Sequence, residues 1–146
     1  MRSFRLWRFG ALLCALGCSE ATRAAGDSSA AGTYLPESVD GCAPGLEARQ
    51  CFPRPSWVVD GTMALAADGL VTRTVRYQFP SDASPVTLVA TGTYFRVGNF
   101  VAFALRENVG AASHVWRPTA VLSDDALILR YPHPADGETV EVFARR

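Results

Sequence analysis

The residues able to do chemistry in this 146-residue chain are few, and their spacing does not favour catalysis. His114 and His133, the only histidines, stand at no metal-ligand spacing from each other or from a cysteine, so a zinc site completed by Asp124 or Asp125 is not expected. Ser113 directly precedes His114, but adjacent residues of a strand point to opposite faces, which separates a hydroxyl from its would-be base. Asp124-Asp125 is the kind of pair that does acid-base work when burial raises one pKa. Its setting is a turn, where aspartate is favoured for local backbone bonding and meets solvent. All fourteen basic residues are arginine, so lysine-based Schiff-base chemistry is absent. No catalytic residue, metal or cofactor is expected, and the chain reads as non-enzymatic.

Cysteine is the remaining reactive type, with Cys14, Cys18, Cys42 and Cys51. Arg2, Arg5 and Arg8 precede an apolar run, Phe9 to Gly17, that ends in Ala15-Leu16-Gly17-Cys18. A charged n-region, a short apolar stretch and small residues at the end predict a secretory signal. The run is nine residues long, about half of what a membrane-spanning helix needs, so it reads as a removed segment, residues 1–17. Its end resembles a bacterial lipobox, in which small residues precede a cysteine that becomes the lipidated first residue of the mature chain. Here Ala15 stands where that pattern favours leucine, and Leu16 follows one place later. The resemblance implies that Cys18 carries a lipid anchor such as palmitate; ordinary signal-peptidase cleavage at the same bond is the alternative.

Cysteine arithmetic supports the anchor. Cys14 leaves with the signal, while Cys42 and Cys51 are close enough to form a disulfide in an oxidising compartment. Closing a loop of about ten residues stabilises by roughly 2–3 kcal/mol in the chain-entropy picture. Cys18 is then left over, and acylation would consume its thiol. Pairing of Cys18 with Cys42, with Cys51 or with a second molecule is the competing assignment.

Removing residues 1–17 takes away three arginines and no acids, leaving eleven against fourteen and a net charge of −3. No basic patch survives to draw a nucleic-acid backbone. Ser19 to Ala31 is small and polar, with nothing to bury, and reads as a flexible tether with a root-mean-square span of about 20 Å. Residues 18–31 therefore link the anchor to one domain, residues 32–146, an ordinary size for a single core. Ser19 is not the acidic residue that, by resemblance to enteric lipoproteins, would hold the protein at the inner membrane. The expected address is the cell envelope, outer membrane favoured over a secreted or soluble periplasmic form.

Short alternating runs separated by turn residues predict an all-β domain. The runs are Gly32 to Val39, Val59 to Ala66, Leu70 to Phe79, Thr87 to Phe95, Asn99 to Arg106, His114 to Leu122, Ala126 to Tyr131 and Glu138 to Arg145. Asp68-Gly69 predicts a hairpin with positive φ values. Val97-Gly98-Asn99 and Ser123-Asp124-Asp125 read as further turns, and Pro132-His133-Pro134 as a stiff loop. Eight antiparallel strands joined mainly by hairpins favour an up-and-down meander closed into a barrel, which removes exposed edges; a two-sheet sandwich is the alternative.

Alternation assigns an inward face to Met63, Leu65, Val71, Val75, Tyr77, Phe79, Val101, Phe103, Leu105, Leu127, Leu129, Tyr131, Val140 and Val142. Met63, Leu65, Val75, Tyr77, Phe103 and Leu129 are candidate ligand-lining residues if an interior cavity exists. Arg73 shares this parity and is expected at a barrel rim, or else buried against a partner. The loop Asp40 to Trp57 holds both distal cysteines and three prolines, and Phe52 and Trp57 are candidate loop contacts over the barrel mouth.

The order Gly32-Thr33-Tyr34, Asp60-Gly61-Thr62, Asp68-Gly69, Gly92-Thr93-Tyr94 and Phe143-Ala144-Arg145 resembles the small lipocalin-like β-barrel lipoproteins of bacteria. The resemblance implies that Tyr34 replaces the tryptophan of the first lipocalin strand and that Arg145 lies over its ring. It also implies a non-catalytic barrel that binds a small apolar ligand. The other reading is an envelope interaction protein, whose filled barrel displays the disulfide-closed loop to a protein partner.

Overall fold

Turn chemistry sets the path of the chain. The computed structural model describes residues 30–45, 56–133 and 137–146, and these carry nine strands: β1 (Gly32–Val39), β2 (Trp57–Leu65), β3 (Leu70–Gln78), β4 (Val86–Val97), β5 (Phe100–Val109), β6 (Ala112–Trp116), β7 (Thr119–Ser123), β8 (Ala126–His133) and β9 (Gly137–Arg145). Gly69 (φ 85°) turns β2 into β3, and the Asp68 carboxylate accepts a hydrogen bond from the Leu70 N–H at 3.1 Å. Only the glycine adopts positive φ in that hairpin; the aspartate serves it through its side chain. Gly98 and Asp124 supply the left-handed residues of the β4–β5 and β7–β8 turns.

Every pairing is antiparallel, and β1 pairs with both β2 and β9, which closes the sheet. Eight strands form the ring, in the order β1-β2-β3-β4-β5-β7-β8-β9, and β6 lies outside it. The expected barrel is present, and the closed ring excludes the sandwich.

The run read as one strand from His114 to Leu122 is two. Both pieces pair with the same edge of β5, Trp116 opposite Leu105 and Thr119 opposite Ala102, with Arg117-Pro118 between them. Pro118 has no N–H to give to the ladder, and the residue before a proline is conformationally restricted. The Pro118 carbonyl still accepts from Phe103 N–H at 3.1 Å. Beyond this break β6 stays with β5, while β8 continues past Arg130 paired with β9 only, through Tyr131, Pro132 and His133. Pro132-His133 is thus the end of a strand rather than a loop; Pro134 lies outside the described residues. A slot opens between β6 and β8.

The end bearing the 66–69, 98–99 and 124–125 turns is filled with apolar side chains, among them Met63, Val71, Leu105, Leu127 and Phe143. Tyr34 plugs it: its hydroxyl donates to the Ala30 carbonyl at 2.9 Å, and Arg145 Cζ lies 5.9 Å from the ring centroid, as the resemblance implied. Burial pushes the Tyr34 phenol's pKa up, with the Arg145 charge opposing. In β9 the sequence reading is one residue out of phase. Thr139, Glu141 and Phe143 are buried, whereas Val140 and Val142 are only half-buried, because Phe143 opposite Leu127 fixes the inward parity and carries Glu141 with it.

Candidate ligand-binding site

At the other end, the inward positions of β3 run Val71, Arg73, Val75, Tyr77, and those of β9 run Phe143, Glu141, Thr139. Two strands separate β3 from β9 around the ring, so Arg73 and Glu141 meet across the interior rather than along a ladder. Arg73 Nη2 donates to Glu141 Oε1 at 2.7 Å and Oε2 at 2.9 Å, with side-chain exposures of 2% and 1%. The same Nη2 donates to the Tyr77 hydroxyl at 3.0 Å, and Tyr131 donates to Glu141 Oε1 at 2.8 Å. Trp116 completes the cluster from β6: Arg73 Cζ lies 5.4 Å from its ring centroid, and Tyr131 packs edge-on against it at 5.1 Å. Arg73 is therefore not at the rim.

The charges of this network explain one another. Burial acts to lower the Arg73 pKa, but Glu141 and the two tyrosines more than reverse it, so the guanidinium is held firmly charged. Burial is also the main reason both phenols titrate above their ordinary range; for Tyr131 the Glu141 carboxylate adds to it, and for Tyr77 Arg73 opposes it. Both are neutral hydroxyls at physiological pH.

Above the network lies a cavity of about 340 Å³. Its walls include Leu88, Trp116, Pro118, Tyr131 and Pro132, with Arg73 and Tyr77 contributing polar groups. Glu107 and His114, directly opposite in the β5–β6 ladder, and Arg117 also line it. The cavity exists because β6 leaves the ring at Pro118. A second groove of about 270 Å³ lies between β4, β5 and the same Arg117-Pro118 break, and includes Phe95, Ala102 and Phe103.

The predicted residues fall into three places. Tyr77 lines the larger cavity; Met63, Leu65 and Leu129 are packed in the apolar core, Val75 is buried, and Phe103 is a core residue that lines the second groove. Trp57 is buried at the first position of β2 with its indole N–H unpaired, and it does not line the larger cavity. Cys42 is disulfide-bonded and its backbone bridges Val39; Cys18, Cys51 and Phe52 lie outside the described residues.

Sequence reasoning missed Glu141 and Trp116. The signal for Glu141 was Arg73 itself: an arginine on the inward parity of a central strand requires a buried acid across the barrel. Nothing in sequence flagged Trp116, whose place depends on the break at Pro118. Among the described residues no cluster of three or more metal-binding side chains occurs. No family model matches the chain, and no curated protein or solved structure matches it either.

Proposed function

We propose that this protein is an exported, lipid-anchored β-barrel that binds a small, largely apolar ligand at the open end and does no chemistry on it. The observation that carries this reading is the 340 Å³ cavity, walled by Leu88, aromatic and proline side chains with Glu107, His114 and Arg117 among them, and floored by polar groups already bonded to one another. Binding sites for small molecules have this make-up, apolar walls with a few fixed polar groups. β1 starts at the filled end, so a tether from Cys18 would join the barrel at the end away from the cavity.

Display of the Asp40 to Trp57 loop to an envelope protein is the second reading, favoured by the disulfide at Cys42 and the loop's attachment beside the open end. Native mass spectrometry of the protein purified from its own cells separates the two. A co-purifying apolar mass is expected. A spectrum empty across preparations would move the weight to display.

A further inference from the structure

Resting on the reading that this cavity holds a ligand, we infer that the ligand is an uncharged, mainly apolar molecule bearing a carbonyl-type oxygen, which accepts hydrogen bonds from Tyr77 and Arg73. The first argument is the balance of donors and acceptors. Both oxygens of Glu141 already accept, one of them twice. The Tyr77 oxygen accepts from Arg73, so its own proton is left to donate. All three hydrogen bonds of Arg73 leave from Nη2, which leaves Nη1 and Nε as further donors on a residue that lines the cavity. Arg73 Nε and Trp116 Nε1 are buried without an acceptor. With those two nitrogens enclosed, the floor offers a ligand the Tyr77 proton and Arg73 Nη1 and has little lone-pair capacity left; the acceptors Glu107 and His114 stand on the β5–β6 wall.

The second argument is charge. The Arg73 guanidinium at the floor is neutralised by Glu141 at 2.7 Å, and the formal charges of the other charged lining residues, Glu107 and the exposed Arg117, sum to zero. A carboxylate reaching the floor would lose its hydration and meet a guanidinium whose charge Glu141 already balances. A neutral carbonyl accepts the same hydrogen bonds with far less to desolvate, and the rest of the molecule meets apolar walls.

Equilibrium dialysis of the mature protein against three probes of one shape tests this: 2-acetylnaphthalene, 2-ethylnaphthalene and 2-naphthoate. The ketone should bind about tenfold more tightly than the hydrocarbon, the effect of a hydrogen bond assisted by a charged donor, with the carboxylate weaker than the ketone. Tyr77→Phe should remove most of that preference, read as the ratio of ketone to hydrocarbon affinity in the same variant. Because Tyr77→Phe also deprives Arg73 of a partner, the paired variant Arg73→Met/Glu141→Gln, with its fold checked by circular dichroism, should give the same loss. Equal binding of ketone and hydrocarbon, or tightest binding of 2-naphthoate, would overturn the inference while leaving a ligand site in place. Retention of none of the three up to their solubility limits would overturn the ligand-binding reading itself.

Discussion

Glu141 and Arg73 stand in a buried, mutually dependent relation that a single substitution breaks. Glu141→Ala leaves a guanidinium at 2% exposure without its counter-charge, and such a loss costs about 3–5 kcal/mol. Urea unfolding should register that drop, whereas Arg73→Met/Glu141→Gln should recover most of it, since a buried pair replaced as a unit leaves no stranded charge. A single variant as stable as the parent would mean that the pair is not closed in solution. Exposed pairs such as Arg130 with Glu138, at 2.9 Å, lie in water and contribute little. At this scale the sequence was partly legible. Parity gave Arg73 an inward face but the expected place was the rim, and a carboxylate between two valines looked like the polar face of its strand until the register of Phe143 was known.

Two strand glycines lie where the backbone of the neighbouring strand leaves no room for a side chain. A methyl group on Gly92 in β4 would overlap the Ala104 carbonyl oxygen of β5, and one on Gly61 in β2 would stand 2.6 Å from the Thr74 carbonyl oxygen. Glycine inside a strand commonly marks such a close approach. Gly92→Ala should destabilise the barrel by about 3 kcal/mol, the upper part of the usual range for overpacking, and thermal unfolding would measure it. An unchanged melting temperature would mean that β5 does not approach Gly92 this closely. Strand faces were readable where one parity was polar, as in β3, whose outward Thr72, Thr74 and Arg76 contrast with inward valines. β4 gave no such contrast, because Val89, Phe95 and Val97 are exposed on the parity opposite to buried Ala90 and Tyr94.

For the whole molecule, β1 starts at the filled end and the cavity lies at the other, so the proposed attachment and the proposed ligand site would stand at opposite ends. Anchoring has its own outcome. Cys18→Ala should shift the protein from the membrane fraction to the soluble fraction and abolish incorporation of labelled fatty acid. Unchanged fractionation would remove the anchor from the proposal. The cavity does not depend on that result, since its lining comes from strands of the closed ring and from β6.

Local signals in the sequence determined the strands, the turns and the all-β class, because alternation and turn residues act over a few positions and survive without tertiary context. Seven of the eight runs read from it are single strands at close to the expected bounds. The Arg145–Tyr34 stack was implied by the resemblance of short motifs in the first and last strands. Closure into a barrel was expected from the number of strands and their hairpins, whereas the expulsion of β6 and the meeting of Arg73 with Glu141 were decided only in three dimensions. Each depends on register between strands distant in sequence, and a shift of one residue exchanges every inward side chain for an outward one. The cavity follows from those registers together with a single proline, so the ligand site is a property of how the strands are assembled rather than of any one of them.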